Sequence, residues 1–191
     1  MADTFIQWSE TFTFEKEEAA DLFLKLQRVC EKVHDQEFDE DTLAGEGYFD
    51  ELEGEEREMV EAWQRVPRRM QNTILDAVDH FGTFCAEPEG NSKTEVWVHS
   101  DEGDSLDTLG ACAEAALAVT EDDAILSLTW SSTCSSPREG AFGGGFLVIH
   151  ANGQVFKDAW SMARWAEGLV EAHRKTGKLG EKLDALLDNM G

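Results

Sequence analysis

Basic residues are scarce in this sequence of 191 residues, which holds 16 Lys and Arg against 40 Asp and Glu. The formal net charge is therefore -24. Duplex DNA carries about one negative charge per 1.7 Å of its axis, and anionic membrane surfaces are negative as well, so both repel such a chain. The composition therefore disfavours direct binding of nucleic acid or of a membrane.

Long hydrophobic runs are also missing. The longest uninterrupted apolar run covers residues 115–119, whereas a spanning helix needs about 20 apolar residues. The first residues lack the basic and apolar regions of a secretory signal, so we expect a cytoplasmic protein of a bacterial host cell. The four cysteines form no C-x-x-C pair, which favours four single reduced thiols over a disulfide framework or a zinc site.

Proline is rare, with 3 residues, while 11 Phe and 6 Trp supply material for a core. Alternating apolar residues predict one strand over residues 4–14, with a bulge near Ser9. Apolar residues at i, i+3, i+4 and i+7 predict helices, and Pro67 should break or kink the second of them. The predicted helices cover residues 17–33, 56–81, 106–119, 160–173 and 179–190, and further strands cover 83–86, 95–99, 125–133 and 146–150.

The order of these elements predicts an α+β fold with a mostly antiparallel sheet backed by helices. We expect a single domain over residues 1–191. Glycines interrupt an acidic stretch at about residues 35–58, which we interpret as a loop-helix insertion after the first helix.

The negative charge is concentrated in two segments. Residues 35–58 hold 12 acids and one base, and residues 87–123 hold 11 acids and one base. Solubility alone needs a net charge of magnitude about 2 to 8 in a small domain. Because charge excess costs self-repulsion, the clustering indicates that a binding function uses it.

Three patterns suggest other chemistry, but each has a simpler interpretation. The glycines at 143–145 precede an apolar strand, not a helix, so a turn or a close backbone approach is favoured over a phosphate loop. Cys134 near Arg138 resembles a nucleophile, but a cysteine at a strand end is typically a small buried apolar residue. The carboxylate clusters lack the glycine and glutamate spacing of a calcium-binding EF-hand. No catalytic, cofactor-binding or metal-binding residue is therefore assigned.

One motif carries a resemblance. The segment T-W-S-S-T-C-S-S-P-R at residues 129–138, followed by F-G-G-G at 142–145, resembles a group of uncharacterised small acidic proteins of phages and mobile elements. The likeness covers roughly residues 95–156. It implies a setting in which small acidic proteins often inhibit host defence nucleases, through an anti-CRISPR or anti-restriction activity.

The leading hypothesis is a non-enzymatic inhibitor that mimics DNA. Its carboxylates would occupy the basic nucleic-acid-binding cleft of a host defence protein, such as a CRISPR effector or a restriction enzyme. The first expected surface comprises Asp35, Glu37, Asp39, Glu40, Asp41, Asp50, Glu51 and Glu53. The second comprises Asp101, Glu102, Asp104, Asp107, Glu121, Asp122 and Asp123.

Two alternatives stay open at this point. One is a metal-dependent hydrolase, or another enzyme, that uses the turn from Cys134 to Gly145. The other is a regulatory interaction protein that forms a homodimer through an exposed aromatic face of the sheet.

Overall fold

The computed structural model describes residues 4–45, 52–100, 105–134, 143–159, 161–164 and 167–168. The chain divides into two compact units, Met1–Phe156 and Lys157–Gly191. Apart from the last residues of one strand, every helix and strand named below lies in the first unit. The terminal helices expected over residues 160–173 and 179–190 lie largely outside the described residues, and the single domain over 1–191 stays a prediction.

Antiparallel sheets backed by helices confirm the α+β fold. The helices are α1 (Glu17–His34), α2 (Glu40–Ala44), α3 (Gly54–Gln64), α4 (Arg68–Phe81) and α5 (Leu106–Thr120). The strands are β1 (Thr4–Gln7), β2 (Ser9–Thr13), β3 (Cys85–Pro88), β4 (Glu95–His99), β5 (Leu126–Cys134), β6 (Gly143–His150) and β7 (Gly153–Asp158).

The strands form two sheets, with the orders β1-β5-β6-β7 and β2-β4-β3. The single strand expected over residues 4–14 is therefore wrong, because β1 pairs with β5 while β2 pairs with β4. The change of sheet takes place at Trp8, whose side chain is buried and whose carbonyl accepts a hydrogen bond from the Ser100 amide at 3.2 Å. The chain therefore passes from one sheet to the other at a buried residue.

The helix predictions are confirmed where the apolar spacing was regular. The helix expected over residues 17–33 is α1, and the break expected at Pro67 separates α3 from α4. Helix α5 is apolar on nearly all sides, as is typical of a helix enclosed by other elements. Eleven of its 15 residues are buried, and it contacts α1, α4 and β6.

The three consecutive glycines lie within β6, so they form no turn and the interpretation as a close backbone approach is confirmed. A β-carbon built on Gly144 would lie 2.6 Å from the Trp130 carbonyl oxygen on the paired strand β5. Only a residue without a side chain fits at that distance, because the obstacle is backbone.

Two of the cysteines come together in the core. The sulfur atoms of Cys30 on α1 and Cys112 on α5 lie 3.5 Å apart, and both residues are fully buried. Burial is the main reason why the pKa of the Cys112 thiol is raised, and the contact with Cys30 raises it further. The two buried thiols pack in the core as small apolar side chains.

We expect Cys30 and Cys112 to react slowly with a thiol reagent in the native protein, because both are enclosed in the core and burial raises the pKa of the Cys112 thiol. Labelling with a maleimide, followed by peptide mass spectrometry, measures each site separately. Complete labelling of both should require denaturant. Rapid labelling of either thiol in the folded protein would contradict the burial described here.

Candidate functional site

Three helix termini meet at one end of the first unit. The Thr108 hydroxyl at the start of α5 donates to the carbonyl of Gly82, which follows α4, at 2.8 Å. The ring of His34, at the end of α1, lies 3.8 Å from the position of a β-carbon on Gly82. The C-terminal ends of α1 and α4 therefore lie beside the N-terminal end of α5.

This end of the unit gathers exposed carboxylates from three helices, α2, α4 and α5, and from the segments that connect α1 to α2 and precede α3. Helix α3 runs antiparallel to α1, because Glu56 near its start contacts Lys32 while Arg65 after its end contacts Glu18. Glu53 therefore lies near the end of α1 as well. We call this surface the acidic end, and its members are Asp35, Glu37, Asp39, Glu40, Asp41, Glu53, Asp76, Asp79 and Asp107.

The described residues of the second expected surface do not lie together. Glu121 and Asp123 follow the C-terminal end of α5, whereas Asp107 lies in its first turn. A helix of 15 residues spans about 22 Å at 1.5 Å per residue. Asp107 thus belongs to the acidic end, and Glu121 and Asp123 lie at the far end of the same helix.

Asp122 is not part of any exposed surface, and the prediction that it binds a partner is wrong. It is 0% exposed. Its carboxylate accepts hydrogen bonds from the backbone amides of Glu15 at 3.3 Å, Lys16 at 2.8 Å and Ala124 at 2.8 Å. The carboxylate instead joins the start of α1 to the segment that follows α5.

Five of the expected residues lie outside the described part of the chain. They are Asp50, Glu51, Asp101, Glu102 and Asp104. The Cys134 to Gly145 turn proposed for an enzyme also includes residues 135–142, which are not described.

Acids early in α3 are neutralised by bases of α1. Glu56 lies 3.3 Å from Lys32, Glu58 lies 3.2 Å from Lys25, and Glu55 pairs with Arg28. The Lys32 ammonium donates hydrogen bonds to Glu37 and to Glu56. These bonds raise the pKa of Lys32, and the bond to Glu37 has the larger effect. These carboxylates fix α3 against α1, so the charge available to a partner comes from the acidic end outside these pairs.

Asp39 has a local structural role in addition to its charge. Its side chain caps α2 by accepting hydrogen bonds from the Thr42 amide at 2.8 Å and the Thr42 hydroxyl at 2.7 Å. Both hydrogen bonds from Thr42 lower the pKa of Asp39, and the bond from the side chain has the larger effect. The cap therefore keeps this carboxylate ionised.

Two of these acids stand where helix electrostatics oppose them. The C-terminal end of a helix carries partial negative charge, and acids there are unfavourable. Asp35 is the C-terminal cap residue of α1, and Asp79 lies in the last turn of α4 with its side chain 87% exposed. His80 lies 3.9 Å from Asp79 and pairs with it only when protonated. Helix electrostatics therefore do not explain the positions of Asp35 and Asp79. The other helix-terminal acids of this surface lie at N-terminal ends, where a carboxylate is favourable, namely Asp39, Glu40, Asp41, Glu53 and Asp107.

A groove opens within the acidic end, between the end of α1, α2 and α4. Its volume is about 610 Å³. Buried or half-buried apolar side chains form its floor, namely Val33, Phe38, Leu43, Leu75 and Val78. Exposed polar side chains form its rim, namely His34, Gln36, Asp39, Glu40 and Asp79.

The charge totals of sequence segments do not reveal Asp76 and Asp79. Residues 59–86 sum to zero, since Arg68 and Arg69 offset these acids in the count. In α4 the two arginines occupy the first turn and the two aspartates lie toward the other end. Counting charges by helix turn would have found the separation.

Other kinds of site have little support in the described residues. No group of three or more His, Cys, Asp or Glu within the described ranges is placed to hold a metal ion. No helix in that part of the chain is long and apolar enough to cross a membrane. Trp97 is 37% exposed and stacks on His99 with ring centroids 4.1 Å apart, and dimerisation through this sheet face stays a prediction.

Comparisons with known proteins give no family to start from. No family model, no curated protein and no solved structure matches the chain.

Proposed function

We propose that this protein is a non-enzymatic inhibitor whose acidic end occupies the basic nucleic-acid-binding surface of a host defence protein. A CRISPR effector or a restriction enzyme fits this description. The observation that carries the proposal is the concentration of exposed carboxylates at the acidic end. Two of them, Asp35 and Asp79, stand at the C-terminal ends of α1 and α4, where helix electrostatics oppose them. Charges kept at such a cost are explained by a partner that uses them.

Complementary charge explains how such an inhibitor acts. A basic cleft that binds phosphates attracts carboxylates by the same long-range field, and the protein then excludes nucleic acid by competition. The Debye length is about 8 Å at physiological ionic strength, so the association rate should fall as salt rises. The proposed partner is a protein, and the proposed function needs no metal ion or cofactor.

A pair of charge-matched variants tests the proposal. The first replaces four exposed acids of the acidic end with lysine, namely Asp35, Glu40, Asp76 and Asp79. The second replaces four exposed acids elsewhere with lysine, namely Glu10, Glu89, Glu121 and Asp123. Each substitution adds two positive charges to -24, so both variants carry a formal net charge of -16 and differ only in where the charge was changed.

The measurement has two steps. Immobilised wild-type protein captures partners from a bacterial lysate at low salt, and each captured DNA-binding protein is then purified and tested for binding to a labelled duplex. We expect wild-type protein and the second variant to displace the duplex, and the first variant to be at least tenfold weaker. Equal displacement by both variants, or captured proteins whose DNA binding is unaffected, would refute the proposed function.

A further inference from the structure

The groove of the acidic end combines two properties that a pure mimic of DNA does not need. Carboxylates alone would imitate phosphates, yet here they surround an apolar floor. Phe38, Leu43 and Val78 are at most 6% exposed, while Val33 and Leu75 are half-buried and complete the floor. A ligand that covers this floor must itself bring apolar side chains.

The charge around the floor determines which apolar ligand fits. Asp39, Glu40 and Asp79 line the rim, and no lysine or arginine among the described residues lines the groove. The C-terminal ends of α1 and α4 add partial negative charge on the same side. The complementary ligand therefore carries apolar anchors flanked by lysine or arginine.

The walls of the groove determine the backbone conformation of that ligand. They are contributed by α1, α2, α4 and the α1–α2 connection, so they present no strand edge to which an extended peptide adds by main-chain hydrogen bonds. A groove between helices receives an amphipathic helix, whose apolar side chains at i, i+3, i+4 and i+7 lie along the floor.

From these properties we infer that the groove between α1, α2 and α4 is the docking site for a basic amphipathic helix of a protein partner. The inference deepens the proposed function, on which it rests, by naming the part of the basic partner that is bound. The apolar floor supplies specificity, because a purely electrostatic surface accepts any cation of similar charge. The carboxylate rim orients the helix and speeds its arrival.

The test uses a defined probe in place of the unidentified partner. The probe is a fluorescein-labelled peptide of 18 residues built from leucine and lysine, with leucines at i, i+3, i+4 and i+7. A scrambled peptide of the same composition has the same charge but no apolar face. Fluorescence anisotropy with the full chain should show at least tenfold tighter binding of the patterned peptide.

Substitutions locate the binding. Leu75→Asn, which places an amide in the floor, should weaken the patterned peptide at least fivefold and leave the scrambled peptide unchanged. Leu24→Asn is the matched control, because Leu24 is a half-buried leucine of a different groove, lined by Glu17 and Asp21. Asp79→Asn leaves the floor intact and should weaken both peptides, which keeps the inference testable if Leu75→Asn does not fold.

Several results would overturn the inference. They are equal affinity for the two peptides, an effect of Leu24→Asn as large as that of Leu75→Asn, and NMR shift changes centred away from Val33, Leu43 and Val78. Failure of the groove is distinguishable from failure of the proposed inhibition. Duplex displacement that persists without peptide discrimination refutes the groove alone, whereas Leu75-dependent peptide binding without any duplex displacement refutes the inhibition and supports the groove.

Discussion

Replacement of Asp122 by alanine is expected to lower the free energy of unfolding by about 3 kcal/mol. The substitution removes the acceptor of three backbone amides, two near the start of α1 and one at Ala124. A buried amide left without an acceptor costs about 1–3 kcal/mol, and the two amides near α1 are only partly buried, so water compensates part of the loss. Urea unfolding followed by tryptophan fluorescence measures the change.

The neighbouring residue provides a matched control. Asp123 is exposed, and Asp123→Ala should change stability by less than about 0.5 kcal/mol. Asp122→Asn retains one acceptor oxygen and should fall between the two. Equal losses for Asp122→Ala and Asp123→Ala would mean that the buried carboxylate does not join the two segments.

Phe23→Ala should destabilise the protein by about 3–5 kcal/mol, the range for deleting a buried aromatic ring. Phe23 on α1 is fully buried, and its ring centroid lies 5.6 Å from those of Phe14 and Phe84 and 6.1 Å from that of Phe12. Phe12 lies in β2, Phe14 follows β2, and Phe84 precedes β3. The Phe23 ring therefore packs α1 against both strands, and alanine would leave a cavity there. The change is measured by urea unfolding.

Two comparisons separate the loss of the ring from a general effect of substitution on α1. Phe23→Leu keeps most of the apolar volume and should cost less than about 1.5 kcal/mol. Leu24→Ala, at the adjacent half-buried position, should cost less than Phe23→Ala because less apolar area leaves water. A Phe23→Ala variant as stable as Leu24→Ala would show that the cluster of four rings is not central to the core.

Local patterns in the sequence were sufficient for most helices and strands. The apolar spacing of α1 and the effect of Pro67 depend on residues a few positions apart, so a sequence reading captures them. The split of the first strand at Trp8 depends on pairing with β4 and β5, whose partner residues lie more than 80 positions further along the chain. No local pattern encodes that choice between sheets.

The candidate site was only partly predictable for the same reason. Six acids of the first expected surface, from Asp35 to Glu53, lie on the acidic end because they are consecutive with the end of α1 or the start of α3. Asp122 and Asp123 are adjacent and chemically identical, yet the fold buries one and exposes the other. The amides of Glu15 and Lys16, which no local rule assigns to either aspartate, lie more than 100 residues before Asp122 in the sequence. Only the tertiary structure decides that they donate to Asp122 and not to Asp123.

The carboxylates at the C-terminal ends of α1 and α4 give salt two opposing effects on this protein. The Debye length shrinks to about 3 Å at 1 M salt, which screens both repulsion within the acidic end and attraction to a cationic partner. The isolated protein then gains stability from the same ions that weaken the complex. At low salt the balance is reversed, and a bound partner relieves the repulsion that the free protein carries, so binding and folding are energetically linked.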